Sequence, residues 1–250
     1  MNFFFKSNKI VLDCFTDNHL VYETAKINHA SKFMPQWWKD LPLVKGNTPI
    51  DKLNMKTCPG FHELFKKSLV IPSWSEMHFL VHPDGRYEWR AANEVKIVDH
   101  PQFQYDGWLS NSKFSHLKIN SPWFAKSKDD LPLLFLEPFW NNTSINGVRI
   151  IPGILNTKYT FQLNINGLIE PNPSTDKVVL IEPLTPLTFL VPLTDKKIEL
   201  RHHLVSEKEI KRFTDFHFFP SLNILSNRKK IVKRMEELDK KDSKCPFGFK

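Results

Sequence analysis

Glycine is scarce in this sequence, with eight in 250 residues. So few leave little room for a phosphate-cradling loop, and neither a Walker A pattern, nor GxGxxG, nor the GxSxG nucleophile elbow occurs. Cysteine is scarcer still. Cys14, Cys58 and Cys245 are odd in number and widely spaced, with no CxxC, which argues against a disulfide framework and against a cysteine-based zinc site. Long hydrophobic runs are missing too. No stretch approaches the roughly 18 apolar residues that span a bilayer. The apolar run Phe3-Phe4-Phe5 is far shorter than the roughly 7–15-residue core of a secretory signal. The expectation is a chain without membrane contact, in a reducing compartment, in which the sequons at Asn141 and Asn142 carry no meaning.

What is abundant is aromatic side chains and proline: 21 Phe, 7 Trp and 18 Pro. Proline at that density breaks long helices and suits short strands joined by rigid connections. The formal charge of +8 is unevenly spread. Residues 228–250 hold nine Lys/Arg against four Asp/Glu, so most of the excess lies in the tail. Such a tail can meet phosphates, nucleic acid included, or acidic partners; it can equally be a solvated helix face.

Lys9–Phe15 reads as a first strand. Pro59–Lys67 reads as a short helix, with proline in its first turn and Phe61, Leu64 and Phe65 on one face. Glu76–Val81 and Arg86–Arg90 flank His82-Pro83-Asp84-Gly85, a strong hairpin-turn signal. Further short strands are expected at 95–98, 113–119, 131–136, 148–151, 159–165, 178–181, 188–191 and 196–200. Ser206-Glu207-Lys208-Glu209 is a capping-box pattern opening a helix to about Phe213, and Pro220-Ser221 opens a second helical segment. The fold class is therefore mainly β (α+β): an antiparallel sandwich or distorted barrel over 1–205, with a helical basic tail over 206–250.

Chemistry-bearing residues allow two readings each. His82-x-Asp84 with His202 has the composition of a 2-His-1-carboxylate iron(II) site, and Arg212 could bind the carboxylate of a 2-oxoglutarate cosubstrate. The same His82-Pro83-Asp84-Gly85 stretch is what a tight turn selects unaided. His202 and His203, adjacent in a strand, face opposite sides, so at most one can join a given site. Cys58 precedes a helix N-terminus, where a thiol is activated, but no base accompanies it. The seven tryptophans serve the core, or stack on a ligand where exposed.

Five segments resemble an uncharacterised family of marine T4-like bacteriophages and some bacteria: Pro35-Gln36-Trp37-Trp38-Lys39, Lys56-Thr57-Cys58-Pro59-Gly60-Phe61, Ile71-Pro72-Ser73-Trp74-Ser75, Asn120-Ser121-Pro122-Trp123 and Pro152–Tyr159. The resemblance implies a phage-type origin, in the host cytoplasm or the virion, and no particular chemistry. A fainter one joins Gly153-Ile154-Leu155-Asn156-x-x-Tyr159 and the strand after it to the dUTPase and dCTP deaminase fold, in which that turn holds the nucleotide. Asn156 stands where those families have Asp, and an amide cannot serve as the carboxylate base. Taken together, the expectation is a phage-encoded, non-enzymatic structural, binding or virion-assembly protein needing no cofactor, with a protein partner or a second copy of itself. The alternatives are an iron(II) oxygenase using His82, Asp84, His202 and Arg212, or a degenerate nucleotide binder using Asn156 and Tyr159.

Overall fold

Alternation at period two dominates the chain. In Lys9–Thr16 (β1), Ser115–Asn120 (β7) and Ile165–Ile169 (β13), every second side chain is buried, as expected of strands with one face on a core. The structure, a computed structural model, describes residues 8–42, 54–92, 95–100, 107, 114–144, 147–158, 161–214 and 233.

After β1 come helix His19–Thr24 (α1), strand Asn28–His29 (β2), a 3-10 turn at Ala30–Phe33 and helix Gln36–Asp40 (α2). A second 3-10 turn, Met55–Thr57, leads into helix Pro59–Lys67 (α3). Strands Leu69–Pro72 (β3), Met77–Val81 (β4), Tyr87–Ala91 (β5) and Lys96–Asp99 (β6) precede β7. Phe124–Lys126 (β8), Pro132–Leu136 (β9), Val148–Ile150 (β10), Gly153–Asn156 (β11) and Phe161–Gln162 (β12) lie between β7 and β13. Lys177–Ile181 (β14), Pro186–Pro192 (β15), Lys197–Leu204 (β16) and helix Glu207–Thr214 (α4) complete the order.

The strands form four sheets: β12-β8-β1-β16, β10-β13-β7-β6, β11-β9-β15-β3-β2 and β14-β4-β5. All pairings are antiparallel except β1 with β16, which run parallel over eight residue pairs from Lys9↔Lys197 to Thr16↔Leu204. The mainly β expectation holds, but none of these sheets closes into a barrel. β3 and β15, inside the five-stranded sheet, are buried nearly end to end and read as continuous apolar runs. Leu12, Ile119, Leu133 and Phe79, one from each sheet, belong to a single buried cluster, so one core joins all four sheets.

Local turn chemistry behaves as the residue types dictate. In the hairpin, Gly85 N donates to His82 O at 2.9 Å, and Gly85 takes φ 91°, which glycine alone adopts without strain. Ser206 Oγ accepts from Glu209 N while Glu209 Oε2 accepts from Ser206 N, closing the capping box. Ile210 then buries against Phe15, Phe124 and Val205, fixing the start of α4 on the β body. The tail 228–250, apart from Lys233, lies outside the described residues, as does the helical segment expected after Pro220.

The single strand expected over 159–165 is two short strands in different sheets. Asn164 Oδ1 accepts from Ser121 N and Leu163 N donates to Trp123 O, so this stretch crosses from β8 to β7. Trp123 occupies that crossing. It is fully buried, its Nε1 donates to Ala25 O at 3.0 Å, and its ring meets His202 edge-on at 5.5 Å. Trp123→Ala is expected to cost roughly 3–5 kcal/mol in urea unfolding, from the cavity and the orphaned carbonyl. Trp89→Ala, at a site 37% exposed, should cost less than about 1 kcal/mol.

Candidate functional site

The residues singled out for iron are not brought together. His82 and Asp84 sit in the β4–β5 turn. His82 Nδ1 bonds Asp176 Oδ1 at 3.0 Å, and its Nε2 lies 3.8 Å from Glu88. Asp84 accepts from Arg86 N at 3.0 Å and Arg86 Nε at 2.7 Å, and the hydrogen bonds from Arg86 hold its carboxyl below the usual range. His202 lies on β16, in another sheet, where Nε2 donates to Ile27 O at 2.9 Å. Burial is the main influence on that imidazole and lowers its pKa. Among the described residues, no three His, Cys, Asp or Glu side chains are grouped as a metal would require. The hairpin gives both His82 and Asp84 protein partners of their own. Arg212 is on α4, and its side chain lies outside the described residues.

Asn156 ends β11 and is used locally. Its Nδ2 donates to Asp130 Oδ1 and its Oδ1 accepts from Lys158 N. Next to it, buried Thr157 donates to Leu131 O through both its N and its Oγ1, locking the turn. Tyr159 is outside the described residues. Cys58 caps α3 without a side-chain hydrogen bond to it. Cys14 is fully buried, and that burial, with Asp13 beside it, pushes its thiol pKa up, away from reactivity. His202 and His203 do point apart. His203 Nε2 bonds Asp13 Oδ1 at 2.8 Å and its ring stacks on Phe15 at 4.9 Å.

The described residues converge most strongly in an aromatic ledge. It is assembled from three stretches distant in sequence. Pro35, extended at φ −65°, starts α2 by accepting from Trp38 N and Lys39 N, which sets Trp37 and Trp38 side by side on a one-turn helix. In α3, Phe61 and Phe65 stand one turn apart and stack at 4.6 Å. After β9, Pro138-Phe139-Trp140 opens the 3-10 turn Phe139–Ser144, where Asn141 Nδ2 reaches back to Phe33 O at 2.9 Å.

Phe61 is the hub. Its ring stacks on Trp38 at 5.9 Å and takes Trp140 and Trp37 edge-on at 5.2 and 5.9 Å. Trp37 Nε1 donates to Trp140 O at 2.9 Å, which ties α2 to the 139–144 turn. Phe61 and Phe65 are buried, while Trp37 is 37% and Phe139 58% exposed. Lys56 Nζ stands 5.1 Å from the Trp38 ring and donates to Lys39 O, and His62 Nε2 donates to Lys56 O at 2.7 Å. The result is an apolar surface with a polar margin of Gln36, Lys39, Asp40 and His62. Pro35–Lys39 and Lys56–Phe61, separate in sequence, meet here. Sequence reasoning missed their meeting and missed Phe139 altogether. The available signal was the repeated pattern of proline followed by paired aromatics, Pro35-Gln36-Trp37-Trp38 and Pro138-Phe139-Trp140.

A second cluster pairs His100, just after β6, with His116 on β7. The rings stack at 4.1 Å, and His100 Nε2 contacts Asn166 Oδ1 at 2.9 Å. Burial, and then the facing His100, push the His116 pKa down to about 4.

Among the described residues no helix is long and apolar enough to cross a membrane. In comparisons with known proteins, no family model and no curated sequence matches the chain.

The histidine pair carries a pH signature. His116 binds its proton less readily folded than unfolded, so its contribution to stability is intact above about pH 6.5 and is lost as pH falls toward about 4. Urea unfolding of the wild type and of His116→Gln across that range should give a difference that shrinks on acidification. A pH-independent difference would show that the imidazole titrates normally in the folded state.

Proposed function

We propose that this chain works by binding a protein partner through the ledge of Trp37, Trp38, Phe139 and Trp140, as a structural or assembly component. The phage-type resemblance carried by two of the ledge's segments makes virion assembly the setting of choice. The observation behind the reading is the contrast between neighbouring rings. Phe61 and Phe65 are buried, yet Trp37, against Phe61, and Phe139, against Trp140, stand 37% and 58% exposed.

Exposure of large rings forgoes their burial energy, which amounts to roughly 1.5–3 kcal/mol for a large apolar side chain. A fold with a spare polar alternative has no stability reason to hold them there. Tryptophan at the centre of a polar margin is also the usual composition of an interface hot spot. The rings are already fixed by mutual packing and by the Trp37–Trp140 hydrogen bond, so little side-chain freedom is lost on docking.

Trp89 provides an internal control. It is as exposed as Trp37, at 37%, but lies on β5 and has no ring partner among the described aromatic contacts. Selection of a random peptide display library on the immobilised protein tests the reading. Aromatic- or proline-containing peptides should emerge whose affinity falls at least tenfold on a Trp37→Ser/Phe139→Ser variant and is unchanged on Trp89→Ser. Peptides that bind the ledge variant as well as the wild type would overturn the proposal, as would ledge-dependent binding of oligonucleotides or sugars with no peptide binding.

A further inference from the structure

The opposite end of α3 from its first turn borders a cavity of about 590 Å³ that the ledge does not use. That size fits a small ligand. Its lining is dominated by cations from separate elements: Lys66 and Lys67 at the end of α3, Lys196 and Lys197 where the 193–196 turn enters β16, and His29 from β2. Pro192 and Ile198 supply an apolar wall.

Acidic groups answer only part of this charge. Asp195 lies 3.3 Å from Lys67 Nζ and is fully exposed, and Glu63 lies 3.7 Å from both Lys66 and Lys67. Lys196 and Lys197 form no ion pair among the described residues. Three elements therefore bring four lysines to one concavity, with His29 half-buried at its side. The His29 ring makes no hydrogen bond among the described residues; its backbone N donates to Asn28 Oδ1 and its backbone pairs with Leu69 in the β2–β3 ladder. Its pKa is lowered first by burial and then by Lys32 and Lys197, an independent sign of an uncompensated positive field.

We infer that this cavity is a binding site for the phosphate groups of a small phosphorylated ligand, held by Lys66, Lys67, Lys196 and Lys197, with His29 donating from its side. The concave shape selects a compact anion. An extended nucleic acid backbone would follow a groove, and the carboxylates of Asp195 and Glu63 interrupt any continuous basic track. Neutral His29 can donate one ring N–H to a phosphate oxygen; protonated His29 adds a charge. The charged groups facing it are Lys32 from the adjoining 3-10 turn, Lys66 and Lys67 from α3, and Asp195, Lys196 and Lys197 from the turn and β16. A bound anion offsets the positive charge of the four lysines and raises the His29 pKa, so binding and protonation reinforce each other.

Titration of the full-length protein with inorganic pyrophosphate, by calorimetry at fixed ionic strength, is the test. One site is expected, with affinity reduced at least tenfold in Lys66→Gln/Lys197→Gln and with the His29 ring resonances moving toward the protonated position on binding. The substituted lysines are surface residues, so an unchanged melting temperature will certify the variant's fold. The inference is overturned if pyrophosphate does not bind. It is equally overturned if binding survives the double variant and leaves the His29 resonances unmoved, which would assign the anion to the 228–250 tail. Binding of oligonucleotides without pyrophosphate would overturn it as well.

Discussion

The parallel ladder between β1 and β16 is the constraint on which the remaining structure depends. It joins the first described strand to the last over eight residue pairs, Lys9↔Lys197 to Thr16↔Leu204. A parallel pair cannot be made by a hairpin and needs a crossover connection. Here nearly the whole chain is that crossover. Pairing of strands so far apart in sequence carries a loop-closure entropy cost that the packed core between them must offset. The ladder also fixes what lies at its ends. It places His202 against Trp123, Lys197 directly after the 193–196 turn, and Val205 where α4 can begin.

Helix α3 distributes the consequences. Its apolar side, Phe61 and Phe65, fills the gap between α2, β15 and the 139–144 turn and thereby supports the ledge. Its last two residues, Lys66 and Lys67, lie near the negative end of the helix dipole, where cations are favoured for the helix alone. That local preference explains their presence. The cavity arises because β16 and the turn before it add Lys196 and Lys197 from across the sheet boundary. One short helix thus separates an aromatic surface from a cationic concavity.

How much of this was legible in the sequence follows from the range of each interaction. The β4–β5 hairpin, α3 and the Ser206–Glu209 capping box were readable, because each rests on residues within about four positions of one another. The same local reading assigned His82-Pro83-Asp84-Gly85 to a turn, and Asp84 and His82 are indeed spent on Arg86, Asp176 and Glu88. The parallel β1–β16 pairing was not readable, since a period-two pattern says which face is buried and nothing about which strand lies alongside. The break of 159–165 into β12 and β13 escaped for a similar reason: the hydrogen bonds that split it come from Ser121 and Trp123. The ledge was half visible. Pro35–Lys39 and Lys56–Phe61 stood out as segments, but their meeting with Phe139 and Trp140 depends on the tertiary fold.

The account rests on the claim that the ledge is a contact surface rather than a loosely finished edge of the core. The most direct measurement is photo-cross-linking in cells that produce the protein in its natural setting, with the cross-linking residue placed at position 37 in one protein and at position 89 in another. The two sites start from the same 37% exposure, so accessibility alone cannot distinguish them. A contact surface at the ledge gives a product of one discrete mass from position 37 and none from position 89. The same products from both positions, or none from position 37, would contradict it.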